Sequence, residues 1–275
     1  MISGSKEELR ELLEYINLVN SIMELIDWYQ LCDYCLEKIM DNYNSERILI
    51  NEATISFVSN TSNLVKAAIN SLKIKSNNEE YREKFEKYVS QIYDGYFSYR
   101  LLSRMRNYSQ HCNFPVSVSE NEPCFDLHQI YSTVNYTFNK TLHNEVDALM
   151  KEIQIRDNNT LKISLMPTVL RHMFCISKIY IKYIDYMKSI LPSARKIIEN
   201  MIEEQPELVE HPNNPGAYIL FQLEEKPEAI HAIDLDGNLM DELVEARNKA
   251  VEKIKVIEKE IRKCTKNGMK IDLTM

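Results

Sequence analysis

Glycine is scarce, with 5 in 275 residues, and none lies in a G-x-x-x-x-G-K-[ST] or G-x-G-x-x-G pattern. Nucleotide hydrolysis on a P-loop and dinucleotide redox chemistry are therefore not expected. No stretch of about 18 residues is both apolar and free of charge, so no membrane span is expected either. The opening residues MISGSKEELRELLEY lack the basic start and unbroken apolar run of a signal peptide, which points to the cytoplasm. In that compartment the six cysteines read as reduced thiols. A net charge of −8 excludes indiscriminate coating of nucleic acid but leaves room for one local basic site. A local absence is more telling: between Asp94 and Glu120 there is no acidic residue, yet Arg100, Arg104, Arg106 and His111 all fall there. Such an uncompensated window in an acidic chain suits an anion.

What is present is helical periodicity. With 27% charged and 44% hydrophobic residues the composition is that of an ordered, helix-rich chain. Ser5 with Glu7 and Glu8 opens a helix that the spacing of Leu9, Leu12, Ile16, Val19, Met23 and Ile26 carries to about residue 43. A second helix follows through Leu72, and a third runs unbroken from Glu79 to His111 on the stripe Phe85, Tyr88, Ile92, Tyr96, Tyr99, Leu102 and Met105. Pro115 and Pro123 bracket a polar loop, residues 125–138 alternate as an extended segment, and residues 142–155 return to helix. Ser164 caps a long helix with Pro167 in its first turn; Pro192 bends or ends it, and Ser193 to Glu204 continues as helix. His211-Pro-Asn-Asn-Pro-Gly216 is a linker, followed by strands at 217–223 and 229–235 and a last helix at 239–264. The fold expected is all-α, a bundle of long helices over residues 1–212, with a β-hairpin-plus-helix appendage over residues 213–275.

The window ends in Arg106-Asn107-Tyr108-Ser109-Gln110-His111. Chemistry on a phosphodiester needs a cation to hold developing charge and a group that moves protons near neutral pH, and Arg106 and His111 supply these. The same letters also suit an ordinary helix C-terminus, where basic residues face the partly negative carbonyls. Residues five apart on a straight helix point about 140° apart. Either the helix deforms between them or a partner completes the site.

Arg106-Asn107-x-x-x-His111, at the end of a long helix in a helical chain, resembles the R-x4–6-H motif of the HEPN superfamily (higher eukaryotes and prokaryotes nucleotide-binding). The wider phrase RMRNYSQHCNFPVS resembles bacterial HEPN-like proteins, and the resemblance covers residues 45–190. It implies a metal-independent endoribonuclease with no cofactor, serving in toxin–antitoxin or anti-phage defence, with RNA as substrate. It also implies a homodimer in which two motifs face each other, and a cognate antitoxin or regulator as a further partner. Arg106 would then stabilise the phosphorane-like transition state, His111 would transfer protons as the 2′-hydroxyl attacks, and Asn107 would fill the polar position after the arginine. The alternative is a non-catalytic helical protein that binds a nucleotide or a partner.

Beside the motif, Arg100 and Arg104 are candidates for flanking phosphates and Tyr108 for stacking on a base. Tyr96 and Tyr99 fall on the apolar stripe and read as core. Cys32-x-x-Cys35 has ligand-like spacing but lacks a second pair; Cys112, Cys124 and His128 could join His111 in principle, but both clusters read more simply as buried thiols and ordinary loop residues, so no metal site is expected. Asp234-x-Asp236-Gly237-Asn238 imitates a calcium loop but has Leu239 where glycine is required; a turn with Asn238 capping the last helix explains it better.

Overall fold

A computed structural model of the chain describes residues 2–72, 79–119, 122–133, 140–156, 161–203, 218–223, 226–234 and 239–266. The described chain is mostly helical, with eight helices and two small three-stranded sheets. Its contacts gather it into two compact units, neither of them one run of sequence: residues 1–26, 67–85 and 181–249 form one, and 27–66, 86–180 and 250–275 the other. The linker-based division at residue 212 follows a different logic, and residues 204–217 lie outside the described part.

The first unit begins with strand β1 (Ile2–Gly4) and the start of helix α1 (Lys6–Asp41). Ser5 and Glu8 form a reciprocal cap: Glu8 N–H donates to Ser5 Oγ at 3.3 Å, and Ser5 N–H donates to the Glu8 carboxylate at 2.6 Å. The unit also holds strands β5 (Tyr218–Leu223) and β6 (Lys226–Asp234), the hairpin expected from sequence. β1 pairs with β5 in parallel, so the hairpin gains a third strand from the far end of the chain. Within this unit Ser71 Oγ donates to the buried Tyr183 hydroxyl at 3.0 Å, and Phe85 meets Tyr183 edge-on.

The second unit carries most of helix α2 (Arg47–Ser71), the end of α3 (Glu79–Gly95), and all of α4 (Phe97–His111). The single third helix expected from the apolar stripe is two helices. Tyr96 adopts φ −128° and ψ 113°, an extended residue directly after Gly95, whose low helix propensity is the visible cause. Beyond α4 the expected loop is partly a sheet: β2 (Ser117–Ser119), β3 (Glu122–Asp126) and β4 (Lys162–Ser164) pair antiparallel in the order β2-β3-β4. The segment expected to be extended through residue 138 turns helical at α5 (Leu127–Thr133), because Asp126 Oδ1 accepts from Gln129 N–H at 3.0 Å and caps it. Residues 134–139 lie outside the described part. Helix α6 (Lys140–Arg156) follows as expected, and α7 (Leu165–Glu203) begins directly after Ser164. Pro192 lies inside α7 and does not end it. Helix α8 (Leu239–Lys266) closes the described chain; the turn before it, with Asn238, is outside the described residues.

The core of this second unit includes Phe57, Leu64, Leu101, Leu102, Met105, Phe125, Met173 and Ile179, each fully buried. Asn51 locks the chain beyond α4 onto α2. Its Nδ2 donates to the Val116 carbonyl at 2.9 Å and its Oδ1 accepts from Val116 N–H at 2.8 Å, so a side-chain amide pairs with the backbone as a strand neighbour would. Both residues are fully buried, which makes these bonds expensive to lose.

Candidate functional site

The candidate residues all come from α4, and the helix is unbroken through them. Its last turn closes without distortion, the Cys112 N–H donating to the Tyr108 carbonyl at 2.8 Å. Of the two ways to bring Arg106 and His111 together, helix deformation is therefore not the one used within a single chain. At about 100° per residue Arg100, Arg104, Asn107 and His111 fall within roughly 60° of one another, while Arg106 lies on a separate stripe with Tyr99 and Ser103.

Each residue's surroundings follow from that division. His111 is exposed and has no hydrogen-bond partner among the described residues. Asn107 is half-buried beside it on the same face. Arg100 is engaged by the break at Tyr96: its Nη1 donates to the carbonyls of Tyr93 at 2.9 Å and Asp94 at 2.5 Å, which the ended helix α3 cannot satisfy itself. Arg104 is neutralised by Glu145 of α6 at 2.9 Å, and its guanidinium lies over the Tyr93 ring and donates to the Tyr93 hydroxyl. The acid missing from the sequence window thus arrives from a distant helix. Tyr108 is 1% exposed, its hydroxyl paired with Thr133 Oγ1 at 2.6 Å, so its ring belongs to the core and presents no face to a base. Arg106 differs from the other two arginines. It is half-buried, no acid pairs with it among the described residues, and its Nε is shielded from water without a hydrogen-bond partner.

Tyr99 is buried, as its place on the stripe suggested, and Tyr96 is half-buried against Phe174. Cys32 and Cys35 are both buried, and burial raises the pKa of both thiols, which disfavours the thiolate a metal would need. Among the described residues no three His, Cys, Asp or Glu side chains gather to hold a metal ion, and no helix is long and apolar enough to cross a membrane. None of the six cysteines forms a disulfide.

Sequence reading passed over a second polar cluster. His172 of α7 is 3% exposed, with Nε2 3.0 Å from Thr61 Oγ1 and the Tyr99 ring stacked on it at 5.1 Å. Burial lowers its pKa from the ordinary 6.5 to about 3; the nearby Ser98 carbonyl opposes this, yet Nδ1 has no aligned partner. The only trace in the sequence is a histidine and a threonine on apolar helix faces.

No protein-family model, curated protein or solved structure matches the chain.

Proposed function

We propose that the chain is an HEPN-like, metal-independent endoribonuclease that works as a homodimer, with two Arg106/His111 motifs meeting across a two-fold axis. The observation that carries this reading is the state of the two residues on α4. Arg106 is the arginine of the acid-free window with neither a carboxylate nor a carbonyl partner among the described residues, and His111 ends the same helix in solvent. Since a straight helix turns the two about 140° apart, a second copy is what would place one protomer's histidine near the other's arginine. In that arrangement an RNA 2′-hydroxyl attacks the adjacent phosphorus. One His111 takes the 2′ proton and another protonates the leaving 5′ oxygen. Arg106 bears on the equatorial oxygens as charge builds, and Asn107 donates from the same face as His111. The products are a 2′,3′-cyclic phosphate and a 5′-hydroxyl, with no metal in the chemistry. A bacterial defence or toxin–antitoxin role, in the cytoplasm and with a cognate regulator, is the setting this activity implies.

One observation favours a second reading. Arg100 and Arg104 are both engaged inside the protein, which leaves little of the basic window to hold RNA in a chain of net charge −8. A non-catalytic protein that binds a nucleotide or a partner through Arg106 and His111 fits that. Mixed RNA incubated with the purified chain and EDTA separates the two: the enzyme cuts, and both Arg106→Ala and His111→Ala abolish cutting. Intact RNA with the wild-type dimer rejects the enzyme.

A further inference from the structure

Within the second compact unit α4 packs against α7, and three cations lie along the seam. Tyr96 packs against Phe174 and Tyr99 stacks on His172, so α7 descends as α4 rises. The sheet agrees: α4 leads into β2, and α7 starts directly after β4 of the same sheet. Because Tyr99 meets α7, the stripe of α4 that it shares with Arg106 is the one turned toward α7. Arg106 stands about 10 Å along α4 from the Tyr99–His172 contact, at 1.5 Å per residue. Arg171 is beside that contact, and Lys178 lies about 9 Å along α7 in the opposite direction. The order along the seam is Arg106, Arg171, Lys178, over about 20 Å.

No carboxylate pairs with any of the three among the described residues. Arg171 and Lys178 instead share one buried ring. Arg171 Cζ lies 5.4 Å from the centre of Phe174, and Lys178 Nζ lies 5.4 Å from the same ring and 5.7 Å from that of Tyr96. A ring face attracts a cation without neutralising it, so both charges stand. Both residues are half-buried, and Arg171, like Arg106, has an Nε shielded from water with no hydrogen-bond partner. Like charges held this close without an acid, in a chain of net charge −8, favour an anion at this surface. One phosphate or carboxylate cannot span a row of about 20 Å. A linear polyanion can.

We infer that the α4–α7 seam is the path of the RNA backbone, with Arg171 and Lys178 holding phosphates that flank the one Arg106 meets. Arg100 and Arg104, engaged inside the protein, leave that task open, and α7 takes it. The identity of the polyanion rests on the ribonuclease reading; the row of charges does not. Contacts of this kind fix the position of a strand without reading its bases.

Fluorescence anisotropy of a labelled 2′-O-methyl oligouridine, which lacks the attacking hydroxyl and stays intact, tests this on the full chain. Three phosphate contacts on a single strand give a slope of log K against log salt of about −2. Arg171→Met combined with Lys178→Met keeps an apolar stem over Phe174 and removes both charges. That pair should flatten the slope by about 1.4 and weaken binding about 25-fold at ~0.1 M salt. Arg171→Lys combined with Lys178→Arg keeps the charges and should bind as the wild type does. The inference is overturned if the oligouridine does not bind at low salt, or if the methionine pair binds it as the wild type does. A loss in the charge-keeping pair as large as in the methionine pair also overturns it, as does equal binding of an oligoglutamate. Binding that needs both cations, in a chain that cuts no RNA, supports the track and rejects the enzyme. Cutting by a methionine pair of unchanged affinity does the reverse.

Discussion

Acidification reads the environment of His172 directly. A histidine in the unfolded chain takes up its proton near 6.5, whereas burial holds the folded one down to about 3. Between those values the unfolded chain holds more protons than the folded one, so this group makes stability rise with pH across the window and fall as pH drops from about 6.5 toward 3. At 1.36 kcal/mol per pH unit the full loss is about 5 kcal/mol, and about 2 kcal/mol of it is already gone at pH 5. None of the causes acting on the ring is a carboxylate, so no nearby anion offsets the cost of charging it. Carboxylates elsewhere also respond to acid, and His172→Gln, which cannot ionise, isolates the histidine's share. Urea unfolding of both proteins at about pH 7 and pH 5 should show the wild type losing about 2 kcal/mol more than the variant. Parallel losses, or a His172 ring proton whose NMR shift titrates near 6.5, would refute the buried, neutral imidazole.

The packing sets three further outcomes. Asn51→Ala strands the buried Val116 N–H and should cost about 2–4 kcal/mol, lowering the thermal midpoint by about 4–8 °C in scanning calorimetry. Arg104→Ala and Glu145→Ala each remove one side of a pair whose side chains are 26% and 23% exposed. In a double-mutant cycle the coupling should be about 1 kcal/mol, and it should shrink in high salt if the ion pair matters. Arg106→Met replaces a guanidinium whose Nε is shielded and unpartnered, so denaturant titration should find stability unchanged or raised by about 1 kcal/mol, whereas a structural arginine would show a loss.

The long helices were legible because their apolar residues recur every three or four positions, and α1, α2, α6, α7 and α8 lie close to where that periodicity puts them. The break between α3 and α4 was not. The apolar stripe runs across Tyr96 without interruption, and only Gly95, a weak signal, marks the residue that turns extended. The strands β1, β2 and β4 are three residues each, too short to show alternation; β1 and β4 are met by partners from distant sequence, and β2 by its neighbour β3. At the candidate site the same limit applies. The motif and its place at a helix end could be read, but the neutralisation of Arg104 by Glu145 and the engagement of Arg100 by the ends of α3 are tertiary events. His172 escaped notice because a histidine within an apolar stripe gives no sign of whether its nitrogens are satisfied.

The basic window therefore means something different in the folded chain than in the sequence. Read as letters, it offers three arginines and a histidine to an anion. Folded, Arg100 holds the end of α3 and Arg104 pairs with Glu145, so only Arg106 and His111 remain, on different sides of one straight helix. An anion bound by a single chain would meet one or the other. A site that uses both residues needs a second molecule to complete it, and under the proposed homodimer the oligomeric state in solution is the measurement on which the ribonuclease proposal turns. A chain that stays monomeric by light scattering at enzyme concentrations, and yet cuts RNA in a manner dependent on both residues, would refute the composite-site argument even while activity survived.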